Sequence, residues 1–171
     1  PNFCDVCDEY TKRGNPLLIP ETATHSYAGP RQVYVVGHHH AMGYAPFGFE
    51  DLGQPFSAVE SYLFGVDVED PALTTPQDVD EYRWYTQTLD SMQRLLAEKY
   101  GTQNLQAVIC ERKEADTMLF GGFGFKVMMT PPMITRQDGV CLVLKIAENE
   151  FYVLANGSMV VPFSANPEKP N

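Results

Sequence analysis

The stretch Asn15-Pro16-Leu17-Leu18-Ile19-Pro20 decides how the first part of this sequence is interpreted. It is a short apolar run bounded by prolines, which a central strand of an open sheet tolerates poorly. A short buried barrel strand that ends at Pro20 fits the pattern better. Glu21 follows directly, and side chains at the carboxyl ends of barrel strands point into the active-site mouth. Glu21 is therefore a candidate catalytic carboxylate, and a solvated loop charge is the simpler alternative for this residue taken alone.

The residues after this strand alternate strand and helix patterns, as α/β units do. The pattern predicts a helix over residues 29–40 and a second short strand over residues 41–45. A long loop follows, and then the clearest helical pattern of the sequence, with Thr75 as its N-cap and Gly101 after its last turn. We therefore expect a helix over about residues 76–100 that packs on a sheet.

The part of the sequence beyond this helix consists of strand patterns separated by turns. Asn156-Gly157 is the strongest short hairpin signal, so we expect the last two strands to pair with each other. The region as a whole predicts an antiparallel meander that forms part of a β-sandwich. The predicted strands cover Leu105–Glu111, Thr117–Thr130, Val140–Ile146, Phe151–Ala155 and Ser158–Phe163.

The order of these elements matches the end of a (β/α)8 TIM barrel that carries an appended β domain. The predicted fold class is α/β plus β: the last strands and helices of the barrel, followed by an antiparallel β-sandwich-like domain. We expect residues 1–101 to form the C-terminal part of the barrel domain and residues 102–171 to form an incomplete β domain. Because a barrel needs all eight strands to close, we expect the chain to be a fragment of a longer protein.

Aromatic and charged residues near the ends of the predicted strands suit a sugar ligand. Tyr44, Phe47 and Glu50 come from the end of the second strand and the loop after it. An aromatic ring stacks on the apolar C–H face of a sugar, while a carboxylate accepts hydrogen bonds from its hydroxyls. His25 lies four residues after Glu21 and borders the same predicted mouth. These four residues are candidate substrate contacts; core aromatics and loop charges are the simpler alternative.

The charge of the chain restricts its partners. The net charge is −10 and the sequence pI is about 4.7. Such a surface repels nucleic-acid phosphates and anionic membranes, whereas a neutral sugar is unaffected by its sign. No stretch approaches the ~20 apolar residues of a membrane-spanning helix. We therefore expect neither nucleic acid nor a membrane as a partner, and the sequence indicates no particular compartment.

The cysteines and histidines do not form a recognisable metal motif. Cys4 and Cys7 form a C-x-x-C, but the second ligand pair that a zinc site usually has is missing. His38-His39-His40 cannot all bind one metal, because consecutive helical positions point about 100° apart. We predict no metal site and no cofactor. Metal or redox chemistry on these residues is a third functional hypothesis behind the two given below.

Three segments together resemble one family. Gly14-Asn15-Pro16-Leu17-Leu18-Ile19-Pro20-Glu21 resembles the strand-seven segment of bacterial β-galactosidases in glycoside hydrolase family 35. Ala41-Met42-Gly43-Tyr44-Ala45-Pro46-Phe47-Gly48 is similar to the strand-eight segment of the branch with a bacterial-type β domain after the barrel. Val140–Gly157 looks like the hairpin of that domain. The order and spacing match over nearly the whole chain.

The resemblance implies a retaining glycoside hydrolase that cleaves terminal β-galactosides by double displacement without a cofactor. In that clan the nucleophile ends strand seven, which gives Glu21 this role. The acid/base, in an Asn-Glu pair at the end of strand four, has no counterpart here, since Asn149-Glu150 falls in the predicted β hairpin. We therefore expect this chain alone to be inactive, and its partners to be a β-galactoside or related oligosaccharide and the missing N-terminal part of the barrel.

Two further expectations accompany this interpretation. Open edges of barrel strands favour association, so the chain alone is expected to form homo-oligomers or to aggregate. The alternative to an enzyme is a non-catalytic module, in which the β region binds carbohydrate or a protein partner and the α/β part is a scaffold.

Overall fold

The computed structural model of the chain describes residues 3–23, 28–38, 41–47, 76–110, 115–129 and 139–166. No helix in these ranges is both long and apolar enough to cross a membrane. The elements are, in chain order, α1 (Phe3–Thr11), β1 (Leu17–Ala23), α2 (Ala28–Gly37), β2 (Ala41–Phe47), α3 (Pro76–Ser91), α4 (Gln93–Lys99), β3 (Leu105–Cys110), β4 (Asp116–Phe120), β5 (Phe123–Met129), β6 (Gly139–Ala147), β7 (Glu150–Asn156) and β8 (Ser158–Ser164).

The strands β1 and β2 pair in parallel, and α2 connects them. The register aligns Leu17 with Ala41 at the start of the pair and Ala23 with Phe47 at its end. Parallel neighbours need a crossover of this kind, because a tight turn cannot return the chain to the same end of the sheet. The chain is thus a mixed helix and sheet structure, as predicted, and its described strands do not form a closed barrel.

The helix α2 lies at the centre of the packing, in contact with β2, α3, β3 and β6. Val33 and Val35 are 0% and 1% exposed. Gly37 allows β3 to approach closely, since a Cβ there would lie 2.3 Å from the Cβ of Ala107 on that strand. The apolar side chains of this helix therefore bury surface against elements on several sides, which is why its sequence lacks a charged face.

The residues after position 101 form two three-stranded antiparallel sheets, in the orders β3-β6-β7 and β4-β5-β8. They do not form the predicted meander. The predicted hairpin at Asn156-Gly157 was wrong, because β8 pairs with β5 and not with β7. Gly157 has a φ of 64°, a conformation that glycine adopts without strain, and the chain passes there from one sheet to the other.

Two predicted elements are divided in the structure. The strand predicted over residues 117–130 is a hairpin of β4 and β5, with a φ of 71° at Gly121 in its turn. The helix predicted over residues 76–100 is interrupted at Met92, whose amide donates to the carbonyl of Leu89 in a tighter, three-residue turn. Just before the interruption, the hydroxyl of Ser91 donates to the carbonyl of Thr88 at 2.6 Å. Such side-chain bonds to the backbone bend helices.

The strand β6 is the middle of the described structure and is buried on both faces. Leu142 and Leu144 belong to the cluster of buried side chains shared with the helices, while Cys141 and Val143 belong to the cluster between the two sheets. A strand covered on both faces reads as a continuous apolar run, as this one does. The first cluster contains residues from both sides of position 101, and the domain division at that position stays a prediction.

The close contact of α2 with β3 gives a test of the packing. We expect Gly37→Ala to lower the free energy of unfolding by about 1–3 kcal/mol, because the added methyl group meets Ala107 and the neighbouring backbone must move. The matched control is Gly122→Ala, where no atom lies within 4 Å of the added carbon. Urea unfolding of both variants measures the difference, and equal stabilities would contradict the close approach.

Candidate functional site

Three of the sequence-predicted site residues, Glu21, Tyr44 and Phe47, lie in the paired strands β1 and β2. The register pairs Ile19 with Tyr44 and Ala23 with Phe47, so Glu21 lies in β1 beside the residues between these two pairs. Glu21 is therefore inside the last part of the strand and not just after it, as the sequence had suggested. The structure describes the backbone at Glu21 and Phe47, and it places both at the same end of the parallel pair.

The pairing is irregular around Glu21. From Ile19 to Thr22 the strand β1 advances three residues, while β2 advances two, from Tyr44 to Pro46. This is the pattern of a β-bulge, and Pro20 lies within it because it has no N–H for the ladder. Bulges occur often beside active sites, where they change the direction of a side chain. The irregularity therefore falls at the residue that the sequence analysis singled out.

The other predicted substrate contacts have different outcomes. Tyr44 is half-buried, its hydroxyl is inaccessible to solvent, and its ring packs against the buried cluster around α2. Tyr44 thus packs in the core, in agreement with the simpler alternative of a core aromatic residue. His25 and Glu50 lie outside the described residues.

A second polar cluster, which the sequence analysis missed, joins α1 to the end of α2. We call Asp8, Thr11, Tyr34 and His38 the Asp8 cluster. The Tyr34 hydroxyl donates to Asp8 Oδ1 at 3.0 Å, and His38 Nε2 lies 3.3 Å from the same oxygen. Thr11 Oγ1 donates to the carbonyl of Cys7 at 2.9 Å and lies 3.5 Å from His38 Nε2. The Asp8 cluster thus ties two helices that are adjacent only in the tertiary structure.

The burial of the Asp8 cluster is uneven. The His38 side chain is 6% exposed, whereas that of Asp8 is 68% exposed. Burial, followed by the nearby Cys4 and by Asp8, raises the pKa of Tyr34 far above its ordinary value. Tyr34 is consequently a neutral hydrogen-bond donor to Asp8 throughout the physiological range. Because α1 itself was not predicted, no local signal marked Asp8 as a partner for the histidine.

The Asp8 cluster borders a groove of about 370 Å³ between the helices and the edges of β3 and β4. The groove is mostly polar, and its volume falls within the range of about 300–1,000 Å³ of small-molecule sites. Cys4, Asp8 and His38 line its helix side. The opposite side includes Thr102, Gln103, Gln106, Asp116 and Thr117.

Neither region forms a metal centre in the part of the chain that the structure describes. Within those ranges, no group of three or more His, Cys, Asp or Glu side chains is arranged to hold a metal ion. Cys4, Asp8 and His38 line one side of the groove, whereas Cys7 is buried in the core around α2.

Comparison with known proteins adds no assignment. No protein-family model matches the chain, and no curated protein is similar enough to count as a relative.

The buried thiols predict how stability changes with pH. Burial raises the pKa of Cys110 and of Cys141 from 9.0 to about 12, and that of Cys7 to about 11. The folded state therefore retains protons that the unfolded state releases. This contribution is fully present below the unfolded pKa near 9 and is lost as the pH rises toward the folded values. We expect the Tm under reducing conditions to fall steadily above about pH 9, with a shallower fall in Cys141→Ala. A Tm that stayed constant above pH 9 would contradict the raised pKa values of these buried thiols.

Proposed function

We propose that this chain is the nucleophile-bearing part of a retaining glycoside hydrolase of the β-galactosidase type. The observation that carries the proposal is the parallel register of β1 and β2, in which Glu21 lies at the carboxyl end of one strand, beside the stretch from Tyr44 to Phe47 in the other. Active sites of barrel enzymes form at this end of the strands, from residues of several strands. The family resemblance supports the same residue as nucleophile.

The packing of β1 supports its assignment to a (β/α)8 barrel. Leu17 and Ile19 belong to the core around α2, whereas Leu18 between them is 57% exposed. Parallel strands are normally covered on both faces, so a leucine exposed between them suits a surface that further barrel residues cover. In this proposal β1, α2 and β2 correspond to strand seven, its helix and strand eight, and the antiparallel sheets form the appended domain.

The reaction requires two carboxyl groups about 5–5.5 Å apart. The ionised carboxylate of Glu21 attacks the anomeric carbon and forms a glycosyl-enzyme ester, while an acid protonates the departing oxygen. The same acid, now a base, then activates the water that hydrolyses the ester. This sequence contains no counterpart of the family's acid/base, so the proposal takes that residue from another part of the complete enzyme.

Covalent trapping tests the proposal directly. A 2-fluorinated galactosyl fluoride is incubated with the complete gene product, and the protein is digested with trypsin. Residues 14–31 form one tryptic peptide, in which Glu21 is the only carboxylate side chain. We expect this peptide to gain the mass of one fluorogalactosyl group. A label on any other peptide, or turnover without a label on this one, would overturn the assignment of Glu21.

One observation favours the alternative, a carbohydrate-binding β module. On the outer face of the β4-β5-β8 sheet, the Phe163 ring lies over Gly124, where a Cβ would meet it at 2.2 Å. The Lys126 ammonium is 5.8 Å from the ring centroid. An aromatic ring on the face of a sheet, beside a hydrogen-bond donor, can stack on a sugar. Retention on immobilised galactan that Phe163→Ala abolishes, while Tyr152→Ala retains it, would support this function.

A further inference from the structure

Two thiols lie one helical turn apart at the beginning of α1. Cys4 is half-buried and lines the groove beside the Asp8 cluster, whereas Cys7 is 2% exposed and belongs to the core around α2. Residues three apart occupy one face of a helix. All four cysteines of the chain are thiols in this structure. One thiol of the pair can therefore be reached from the groove, and the other lies behind it.

The surroundings give the two thiols different roles. Cys4 and Cys7 both raise the pKa of the Tyr34 hydroxyl, and both pack on the core around α2. Burial and the charge of Asp8 raise the pKa of Cys7 to about 11, an effect that Arg31 partly offsets. A protonated, covered thiol makes a poor first nucleophile. Because Cys7 is covered, it meets a disulfide only after one has formed on Cys4, one helical turn away, and this second attack passes through the small ionised fraction of Cys7.

The helix geometry makes a disulfide between these residues possible but strained. Side chains three residues apart have Cβ atoms about 5–6 Å apart, whereas a disulfide needs about 3.8 Å. The first turn must therefore tighten. The amides of the first turn have no partners within the helix, so this movement disrupts few hydrogen bonds. Strained disulfides are more easily reduced, which makes the bond reversible.

We propose that Cys4 and Cys7 form a reversible dithiol–disulfide pair that exchanges with low-molecular-mass disulfides, such as oxidised glutathione, from the groove. The Cys4 thiolate attacks one glutathione sulfur, which forms a mixed disulfide and releases one reduced glutathione. The Cys7 thiolate then attacks the Cys4 sulfur and releases the second. Two electrons pass from the protein to the glutathione disulfide, and the two thiol protons end on the two glutathione thiols. This inference is independent of the glycosidase proposal.

The experiment uses the folded chain and oxidised glutathione itself. After incubation and acid quenching, the protein is denatured, alkylated and digested with trypsin. Cys4 and Cys7 share the tryptic peptide of residues 1–12, while Cys110 and Cys141 fall in two others. We expect the first peptide to lose both alkylatable thiols and two hydrogens of mass, and excess reduced glutathione to restore them. The other two peptides are internal controls, because both of their cysteines are 0% exposed.

Two variants separate this mechanism from general thiol oxidation. Cys7→Ser should accumulate one glutathione on Cys4, because no resolving thiol remains. Cys4→Ser should leave Cys7 unmodified under the same conditions. The proposal is overturned if both thiols of the native chain stay alkylatable at every ratio of oxidised to reduced glutathione. Reaction of all four cysteines at one rate would overturn it as well, since that would report unfolding and not a selective pair.

Discussion

Glu21→Gln is expected to lower kcat/KM for an aryl β-galactoside by at least about 10³-fold in the complete enzyme, with the fold intact. The amide has nearly the same shape as the carboxylate but cannot form the glycosyl ester, so the loss belongs to the chemical step. The matched control is Glu150→Gln, an exposed glutamate of the Asn149-Glu150 pair in the β hairpin. This variant should retain full activity.

A second measurement distinguishes a lost nucleophile from a damaged site. Glu21→Ala leaves space for a small anion, and added azide should restore turnover of an activated galactoside by attacking the anomeric carbon in its place. The product would then be a galactosyl azide of inverted configuration. An unchanged rate in Glu21→Gln, together with no effect of azide, would remove Glu21 from the mechanism and favour the binding-module alternative.

Leu142→Ala should cause the largest loss of stability among the substitutions considered. Leu142 is 0% exposed on β6, the strand that lies between the helices and the second sheet. Loss of its side chain leaves a cavity in rigid surroundings, and we expect the free energy of unfolding to fall by about 2–5 kcal/mol. Urea unfolding monitored by circular dichroism measures this change.

The matched control for this substitution is Leu119→Ala, on β4. Leu119 is 55% exposed, so the same truncation removes little buried surface. Its effect should remain within about 0.5 kcal/mol. If both variants lost equal stability, β6 would not be the buried centre of the fold, and the arrangement of the two sheets would be wrong.

Much of the local structure could be predicted, because periodicity and bounding residues act over short distances. The apolar run before Glu21 indicated β1, and the strand at residues 41–45 indicated β2. The helix near residues 76–100 was predicted from its spacing, although it is interrupted at Met92, where Ser91 and Thr88 donate hydrogen bonds to the preceding turn of backbone. The helix α1 was missed, since it spans only nine residues and its apolar stripe of Phe3, Cys4 and Cys7 is short.

The pairing of strands was less predictable. An Asn-Gly pair favours a tight hairpin locally, yet β8 gains more by pairing with β5, where Val160 joins the core between the sheets. The positive φ of Gly157 is compatible with a connection between two sheets as well as with a tight hairpin. The Asn-Gly pair therefore predicted the wrong partner for β8.

The sequence by itself determined most of the strands and helices, though not α1 or the division of two elements, together with the acidic net charge and a candidate carboxylate in an apolar strand. Only the tertiary structure decided the partition into two sheets, the meeting of Asp8 with Tyr34 and His38, and the exposure of Cys4 beside a buried Cys7. The physical reason is the distance along the sequence over which each kind of interaction acts. Hydrogen-bonding periods and caps are set by neighbouring residues, whereas burial and contacts between distant elements depend on how the whole chain excludes water.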